Sequence, residues 1–285
     1  MMFQETEIRE RENDFYKNII RLYLKYGSVD EVFRVTNYDL PISYPGMHHL
    51  IKRWGIVKSA GPNSKLSETL TFLTLLSDNQ IPMERLFKKL PPSFKTSLST
   101  MHRILHNVKT GVTRRFGTAL VITPKNQKNS ILMGEDITPP KIELGKPTGS
   151  KTLPMTYSSG SEDPKTSILR VLQQEVYSEL AVNKNIPTEI IPENPKPFMH
   201  LSIADIKVSV YHLEISDNFL NSNDFSSFKV KDHSFIPFKE ILLSKEVVRS
   251  GVKEIITKYN EYIKDEDKIY EQVSELNLAL LGTTS

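Results

Sequence analysis

The hydrophobic pattern of this chain changes at Arg115, and that change restricts the fold more than any other feature of the sequence. Before it, apolar residues recur at helical spacing, as in residues 15–26. After it, residues 116–123 form a continuous apolar, β-rich run that predicts a buried strand. Further predicted strands surround one strong helical segment. We therefore predict an α-helical domain over residues 1–112 and an α/β domain over residues 113–285.

The helical half reads as a helix-turn-helix-like unit that occurs twice in tandem. Helices are predicted at 15–26, 29–35 and 45–54, and again at 65–76, 83–90 and 97–108. The two third helices share a local likeness, because MHHLI at residues 47–51 is followed 54 positions later by MHRIL. Such a repeat indicates two related units.

The charge distribution points to an anionic partner for the helical half. Residues 1–117 hold 18 Lys and Arg against 11 Asp and Glu, a net charge of +7, whereas residues 118–285 hold 19 against 23, a net charge of −4. A helix-turn-helix places its last helix in the major groove of DNA, where basic and hydroxyl side chains contact phosphates and base edges. The candidate DNA contacts are His48, Lys52, Arg53, Thr100, His102, Arg103 and Lys109. A helical dimerisation module, giving a homodimer, is the alternative interpretation of the same periodicity.

Composition excludes several classes of protein. The chain has no cysteine, so disulfides and zinc sites that need thiolate are excluded. Residues 1–14 are rich in charge and have no apolar core, unlike a signal peptide. The apolar runs are too short to cross a bilayer. We expect a cytoplasmic protein without membrane contact.

The α/β half contains its helical segment between two loops rich in proline. A long loop spans residues 124–164, a helix is predicted at 167–180, and residues 200–215 read as one long strand or a bent pair. Helix is predicted from residue 239 onward, with a last helix near residues 269–276. The loop at 145–152 narrowly misses a P-loop, because its glycine spacing is one residue short and no helix follows directly.

Residues 160–182 carry the clearest motif. Laid on the pattern G-x5-E-x7-R-E-U-x-E-E-x-G-U, where U is apolar, five fixed positions match, and these are Gly160, Glu175, Val176, Glu179 and Val182. Four positions depart from it, and these are Thr166, Gln174, Ser178 and Ala181. This segment resembles a degenerate Nudix box, and with its flanking strands and helix the resemblance extends over about residues 114–263. It implies an α/β Nudix-like sandwich.

The resemblance implies a metal-dependent site. Glu175 and Glu179 are at i and i+4, so they share one face of the predicted helix and could hold Mg²⁺ or Mn²⁺. In the family, the cation helps to cleave a nucleoside diphosphate linked to another group. By this resemblance Glu175 and Glu179 would be metal ligands and catalytic groups. Gly160 would let the loop pack on the helix, and Lys151 in the basic loop would meet a ligand phosphate.

The departures from the box leave three functions open. The first is a DNA-binding transcriptional regulator whose Nudix-like domain senses a nucleotide-type ligand. The second is a working metal-dependent Nudix hydrolase. The third is a non-catalytic interaction protein. The loss of acids at Thr166 and Ser178 and of the arginine at Gln174 favours the first, whereas the retained Glu175 and Glu179 favour the second.

Overall fold

The computed structural model of the protein describes residues 2–60, 115–140, 145–203, 206–216, 225–244 and 246–276. Residues 2–60 form three helices, α1 (Met2–Tyr26), α2 (Val29–Val35) and α3 (Tyr44–Arg53). The predicted second helical unit, residues 65–108, lies outside the described residues, and with it the candidate DNA contacts Thr100, His102, Arg103 and Lys109.

Local signals explain the first helical unit. Gly27 ends the first helix in a left-handed conformation (φ +72°), and Ser28 caps α2 by accepting from the Glu31 N–H at 3.4 Å. Ser43 caps α3 in the same way, accepting from the Gly46 N–H at 3.1 Å. The cap at Ser28 confirms the predicted start of α2, whereas α3 begins at Tyr44, one residue before its predicted start. Helix α1 begins at Met2 rather than at the predicted residue 15. The prediction missed its first half because this charged segment has no apolar stripe.

The described residues of the second half of the chain form an α/β sandwich with two sheets, as predicted. A five-stranded sheet has the order β4-β1-β6-β5-β8, and a three-stranded sheet has the order β3-β2-β7. The strands are β1 (Arg115–Pro124), β2 (Ser130–Asp136), β3 (Lys151–Thr152), β4 (Met155–Ser158), β5 (Met199–Ile203), β6 (Ile206–Ile215), β7 (Val230–Pro237) and β8 (Tyr270–Val273). Strands β1 and β6 pair in parallel along their whole length, from Arg115 opposite Ile206 to Pro124 opposite Ile215.

The apolar run that predicts β1 is buried on both faces. Ala119 and Val121 lie in one apolar core, while Leu120 and Ile122 lie in the other. Successive side chains of a strand point to opposite faces, so a strand covered on both sides needs an unbroken apolar run. This explains why β1 shows no polar alternation in sequence.

The predicted helix at 167–180 is interrupted in the structure. It consists of α4 (Pro164–Val171), a π-helical segment (Leu172–Val176) and α5 (Ser178–Val182). Between the last two, Tyr177 leaves the helical region with φ −126° and ψ 46°. The predicted helix is therefore present but interrupted, and residues 175 and 179 lie in separate helical segments, so a shared face no longer follows from their i, i+4 spacing.

The C-terminal part also differs from the prediction. After β7 the chain forms α6 (Phe238–Leu243) and α7 (Val252–Tyr262), so the helical stretch predicted from residue 239 is present as two separate helices. Of the last helix predicted near residues 269–276, residues 270–273 instead form strand β8, which pairs in parallel with β5, while residues 275 and 276 are helical. Tyr270 is buried there, whereas Ile269 is exposed. No helix in the described part of the chain is both long and apolar enough to cross a membrane.

Candidate functional site

Gly160 precedes α4 and lies against strand β1. A Cβ atom at this position would come within 2.5 Å of the Phe116 ring, so the turn requires a residue without a side chain. Asp163, three residues later, caps α4 by accepting from the Thr166 N–H at 3.1 Å. The glycine thus permits close contact between the turn and the sheet.

The carboxylate of Glu179 forms an ion pair with a residue of the N-terminal helices. Arg21 on α1 donates from Nε to Glu179 Oε1 and from Nη2 to Glu179 Oε2, each at 3.0 Å. This is a two-pronged ion pair between residues 158 positions apart, and about two fifths of the Glu179 side chain remains exposed. One of the two matching carboxylates therefore already has a cationic partner.

Glu175 lies in the π-helical segment and is 7% exposed. Burial raises the pKa of Glu175 to about 7. Nearby Asp136 acts in the same direction, while Lys229, Arg249 and Lys146 oppose the rise. Glu175 is therefore a carboxyl that gains and loses its proton near neutral pH, in a cationic environment supplied by the chain itself.

The cations around Glu175 form a network with Asp136. Buried Lys146 lies 3.1 Å from Asp136, measured between Nζ and Oδ2, and Arg249 Nη1 lies 3.8 Å from the same oxygen. Burial lowers the pKa of Lys229, and Glu175 acts against this lowering. Lys229 Nζ also donates to Gln174 Oε1 at 2.7 Å. Gln174 stands where the Nudix box has arginine, so here the positive charge comes from a different part of the chain.

The predicted phosphate-binding residue Lys151 belongs to the short strand β3. Its N–H donates to the Val247 carbonyl at 2.9 Å, and its carbonyl accepts from the Arg249 N–H at 3.0 Å. Its side chain is half-buried, and its role as a phosphate contact stays a prediction. Lys146, the other lysine of this loop, is held by Asp136.

The described residues do not fit a divalent cation. Mg²⁺ and Mn²⁺ require several oxygen ligands that are free to coordinate. Within the described ranges, no group of three or more His, Asp or Glu side chains is placed to hold a metal ion. Glu179 is bonded to Arg21, and Glu175 has Lys229 nearby. The positions that match the box are thus already supplied with positive charge.

The segment that resembles the box is also the docking surface for the N-terminal helices. Trp54 at the end of α3 donates from Nε1 to the Val182 carbonyl at 2.8 Å, and Val182 joins the apolar core of α1–α3. Gln173 pairs with two backbone groups of the linker after α3, accepting from the Val57 N–H and donating to the Gly55 carbonyl, both at 2.8 Å. Arg170 Nε donates to the Lys58 carbonyl at 2.7 Å.

Gln174 connects this docking surface to the network around Glu175. Its Nε2 donates to Ser59 Oγ at 3.1 Å, while its Oε1 accepts from Lys229. Sequence reasoning missed Gln173 and Gln174 as contacts. The signal that could have identified them is two adjacent glutamines inside a helical segment that is largely apolar, since buried amides need partners.

The candidate DNA contacts on α3 lie on the open side of the first helical unit. His49, Lys52 and Arg53 are exposed, and His48 is half-buried. The guanidinium of Arg53 lies 4.9 Å from the centroid of the Tyr16 ring. An open pocket of about 360 Å³ is lined by His48, His49, Lys52, Ile56 and Lys58. This side of α3 is therefore basic and accessible.

Among known proteins, similarity to this chain was found only with solved structures. No protein-family model matches the chain, and no curated protein has a significantly similar sequence. Similar solved structures include a MutT/Nudix family protein from Enterococcus faecalis (13% identity, covering 73% of this chain and 78% of that one, TM-score 0.38). They also include an ADP-ribose pyrophosphatase from Streptococcus suis (11% identity, covering 56% of this chain and 99% of that one, TM-score 0.37).

A third similar structure is the Nudix domain of Shewanella oneidensis NrtR complexed with ADP ribose (10% identity, covering 64% of this chain and 99% of that one, TM-score 0.35). All three TM-scores lie below 0.5, so these similarities support no conclusion about activity, ligand or site residues. What the site can do follows from its own geometry.

Proposed function

We propose that the protein is a DNA-binding transcriptional regulator whose Nudix-like domain senses a nucleotide-type ligand without hydrolysing it. The observation that carries the proposal is the state of the two matching carboxylates. Glu179 is bonded to Arg21, and Glu175 is buried beside Lys229. A site with one acid paired to an internal cation and the other kept from ionising by burial has little free negative charge, which favours binding of an anionic ligand over recruitment of a catalytic metal.

Coupling between the two halves follows from the docking surface. The π-helical segment holds the linker after α3 through Gln173 and Gln174, and Gln174 also accepts from Lys229. π-Helical turns often occur at functional sites. A ligand that displaces Lys229 would therefore alter the contacts that hold the linker, and through it the presentation of α3. This gives ligand binding a physical route to DNA affinity.

DNA binding by the basic face of α3 is tested by its dependence on salt. Each phosphate contact that is lost reduces the slope of log K against log salt concentration by about 0.9 for duplex DNA. We expect Lys52→Ala and Arg53→Ala each to weaken binding and to reduce this slope, as measured by fluorescence anisotropy. Lys125→Ala is the matched control, because Lys125 is an exposed lysine of the α/β domain. No binding at low salt would refute DNA binding by the protein.

Ligand sensing is tested with a panel of nucleotides in the presence of EDTA. The panel contains nucleoside triphosphates, dinucleoside polyphosphates, nucleotide sugars, NAD-type compounds and ADP-ribose, the ligand in the NrtR structure. Trp54 is the single tryptophan of the chain and lies at the docking surface, so its fluorescence reports changes there. We expect one ligand to bind without metal and to change DNA affinity. By linkage, DNA must change the affinity for that ligand by the same factor.

A Nudix hydrolase is the second candidate function, and one observation favours it. A carboxyl with a pKa of about 7, such as Glu175, is suited to accept or donate a proton at neutral pH. Turnover of the same panel with Mg²⁺ or Mn²⁺ that disappears in Glu175→Gln would support this function. Turnover that survives in the variant would exclude Glu175 as its catalytic group, and an absence of turnover would favour the sensor.

A further inference from the structure

The connection between α2 and α3 carries an unusually exposed aromatic residue. Tyr38 is 74% exposed and has a left-handed backbone (φ +59°), as does the preceding Asn37 (φ +53°). A bulky residue rarely occupies this region, and the strain persists only where surrounding contacts enforce it. Here the Tyr38 N–H donates to the Phe33 carbonyl at 2.7 Å. The turn therefore holds the tyrosine ring at the surface in a defined position.

Tyr38 belongs to an ordered row of rings. Phe33 stacks on Tyr38 with ring centroids 6.2 Å apart and an angle of 29°, and on Tyr44 at 5.7 Å and 25°. Tyr44 is 42% exposed, and its hydroxyl donates to Asp30 at 3.0 Å. Phe33 is buried, so both exposed tyrosine rings stack on a ring that is fixed in the core. We call Tyr38 and Tyr44 on their Phe33 support the aromatic row.

The aromatic row adjoins the basic pocket of α3 through His48. The His48 ring contacts Tyr44 edge-on at 5.0 Å and also lines the pocket with His49, Lys52 and Lys58. The buried Nδ1 of His48 has no hydrogen-bond partner among the described residues. No carboxylate in the described part of the chain forms an ion pair with Lys52 or Lys58. Positive charge without a counter-charge thus lies directly beside exposed ring faces.

We infer that this surface binds single-stranded nucleic acid, with bases stacked on the aromatic row and phosphates bound at His49, Lys52 and Lys58. Proteins that bind single strands combine these two features, because every base has an aromatic face and every nucleotide carries a phosphate. The inference rests on the proposed function in one respect, which is that the helical region binds nucleic acid. It adds that the preferred form has unpaired bases.

Two features favour unpaired bases over a duplex. Bases inside a duplex already stack on one another and offer no free face to Tyr38. In addition, residues 36–43 between α2 and α3 form a longer connection than the three- or four-residue turn of a DNA-reading helix-turn-helix. An acidic protein partner could also meet the basic pocket, but it would make no specific use of two flat, exposed rings at a fixed spacing.

The test compares the binding of a labelled oligothymidine and of a labelled duplex by the full chain. The proteins are wild type, Tyr38→Ala, Tyr38→Trp and Lys52→Ala. Loss of one stacked base corresponds to about 5- to 150-fold weaker binding. We expect this loss for single strands with Tyr38→Ala, near-normal binding with Tyr38→Trp, and a salt slope reduced by about 0.7 with Lys52→Ala.

Leu243→Ala is the matched control, because Leu243 is an exposed apolar residue (84%) on α6 of the other domain. Circular dichroism and thermal unfolding verify that each variant is folded. Duplex binding without single-strand binding would overturn the inference and leave the proposed function intact. Single-strand binding that is unchanged in Tyr38→Ala would also overturn it. Failure to bind either nucleic acid would refute both and point to a protein partner for the aromatic row.

Discussion

Replacing Glu175 with glutamine should remove a strong pH dependence from the stability of the protein. Glutamine has nearly the same shape as glutamate and stays neutral at all pH values. The wild-type carboxyl has a pKa raised from about 4.5 to about 7 by burial. Between these two values the folded protein keeps a proton on Glu175 that the unfolded chain has lost, so the free energy of unfolding falls as pH rises.

The magnitude follows from the size of the shift. Each pKa unit corresponds to about 1.4 kcal/mol, so a shift from about 4.5 to about 7 corresponds to about 3 kcal/mol. Stability associated with Glu175 is fully present below pH 4.5 and is lost by about pH 7. Glu175→Gln retains it. The variant should therefore match the wild type near pH 4.5 and exceed its free energy of unfolding by about 3 kcal/mol at pH 8.

The assay is urea denaturation followed by far-UV circular dichroism at pH 5, 6, 7 and 8. Groups remote from Glu175 titrate equally in both proteins, so the difference between the two curves reports Glu175 together with Lys229, whose pKa the Glu175 charge raises. Glu162→Gln is a control of opposite sign. Although burial raises it, the pKa of Glu162 is lowered by hydrogen bonds from Arg170 and Ser167. At pH 7, Glu162→Gln should have a lower free energy of unfolding than the wild type, because the charged Glu162 stabilises the fold. The wild type loses this contribution only when the pH falls below about 4.5 and Glu162 is protonated. Parallel curves for wild type and Glu175→Gln over pH 5–8 would refute the reasoning.

Three further substitutions test the packing around the site by urea denaturation. Trp54→Phe leaves the Val182 carbonyl buried without its donor and should cost about 1–3 kcal/mol, whereas an unchanged stability would show that the docking contact is dispensable. Gly251→Ala would place a Cβ atom 2.4 Å from Ile203 Cδ1. Its control is Gly55→Ala, because Gly55 also has a positive φ but no atom lies within 4 Å of its Cβ position. Gly251→Ala should lower the free energy of unfolding by about 1–3 kcal/mol more than Gly55→Ala, and equal losses would exclude crowding as the cause. Arg21→Met removes a half-exposed ion pair to Glu179 and should cost only about 0.2–1 kcal/mol, so a loss of several kcal/mol would contradict this estimate.

The sequence by itself determined the local elements whose signals lie close together in the chain. Ser28 and Ser43 start helices because a short side chain can satisfy a free N–H three residues later. The apolar run at 116–123 predicts β1 because a strand covered on both faces has no exposed side. The order of these elements also indicates a helical region followed by an α/β sandwich, which the structure confirms.

Only the tertiary structure decided what the matching residues of the box do. The interpretation of Glu175 and Glu179 as a pair assumes one continuous helix, and the π-helical turn and Tyr177 break that helix. Strand β8 likewise forms where periodicity favours a helix, because pairing with β5 supplies hydrogen bonds that the local sequence does not reveal.

The electrostatics of the site depend on partners that are remote in sequence. Arg21 reaches Glu179 across 158 positions, and Lys229 reaches Gln174 across 55. No local spacing rule connects such residues, because their proximity is created when the N-terminal helices dock on the interrupted helix and β7 closes the sheet beside it. The sequence thus determines which carboxylates the box retains, and the packed chain determines that Glu179 is paired with Arg21 and that burial raises the pKa of Glu175.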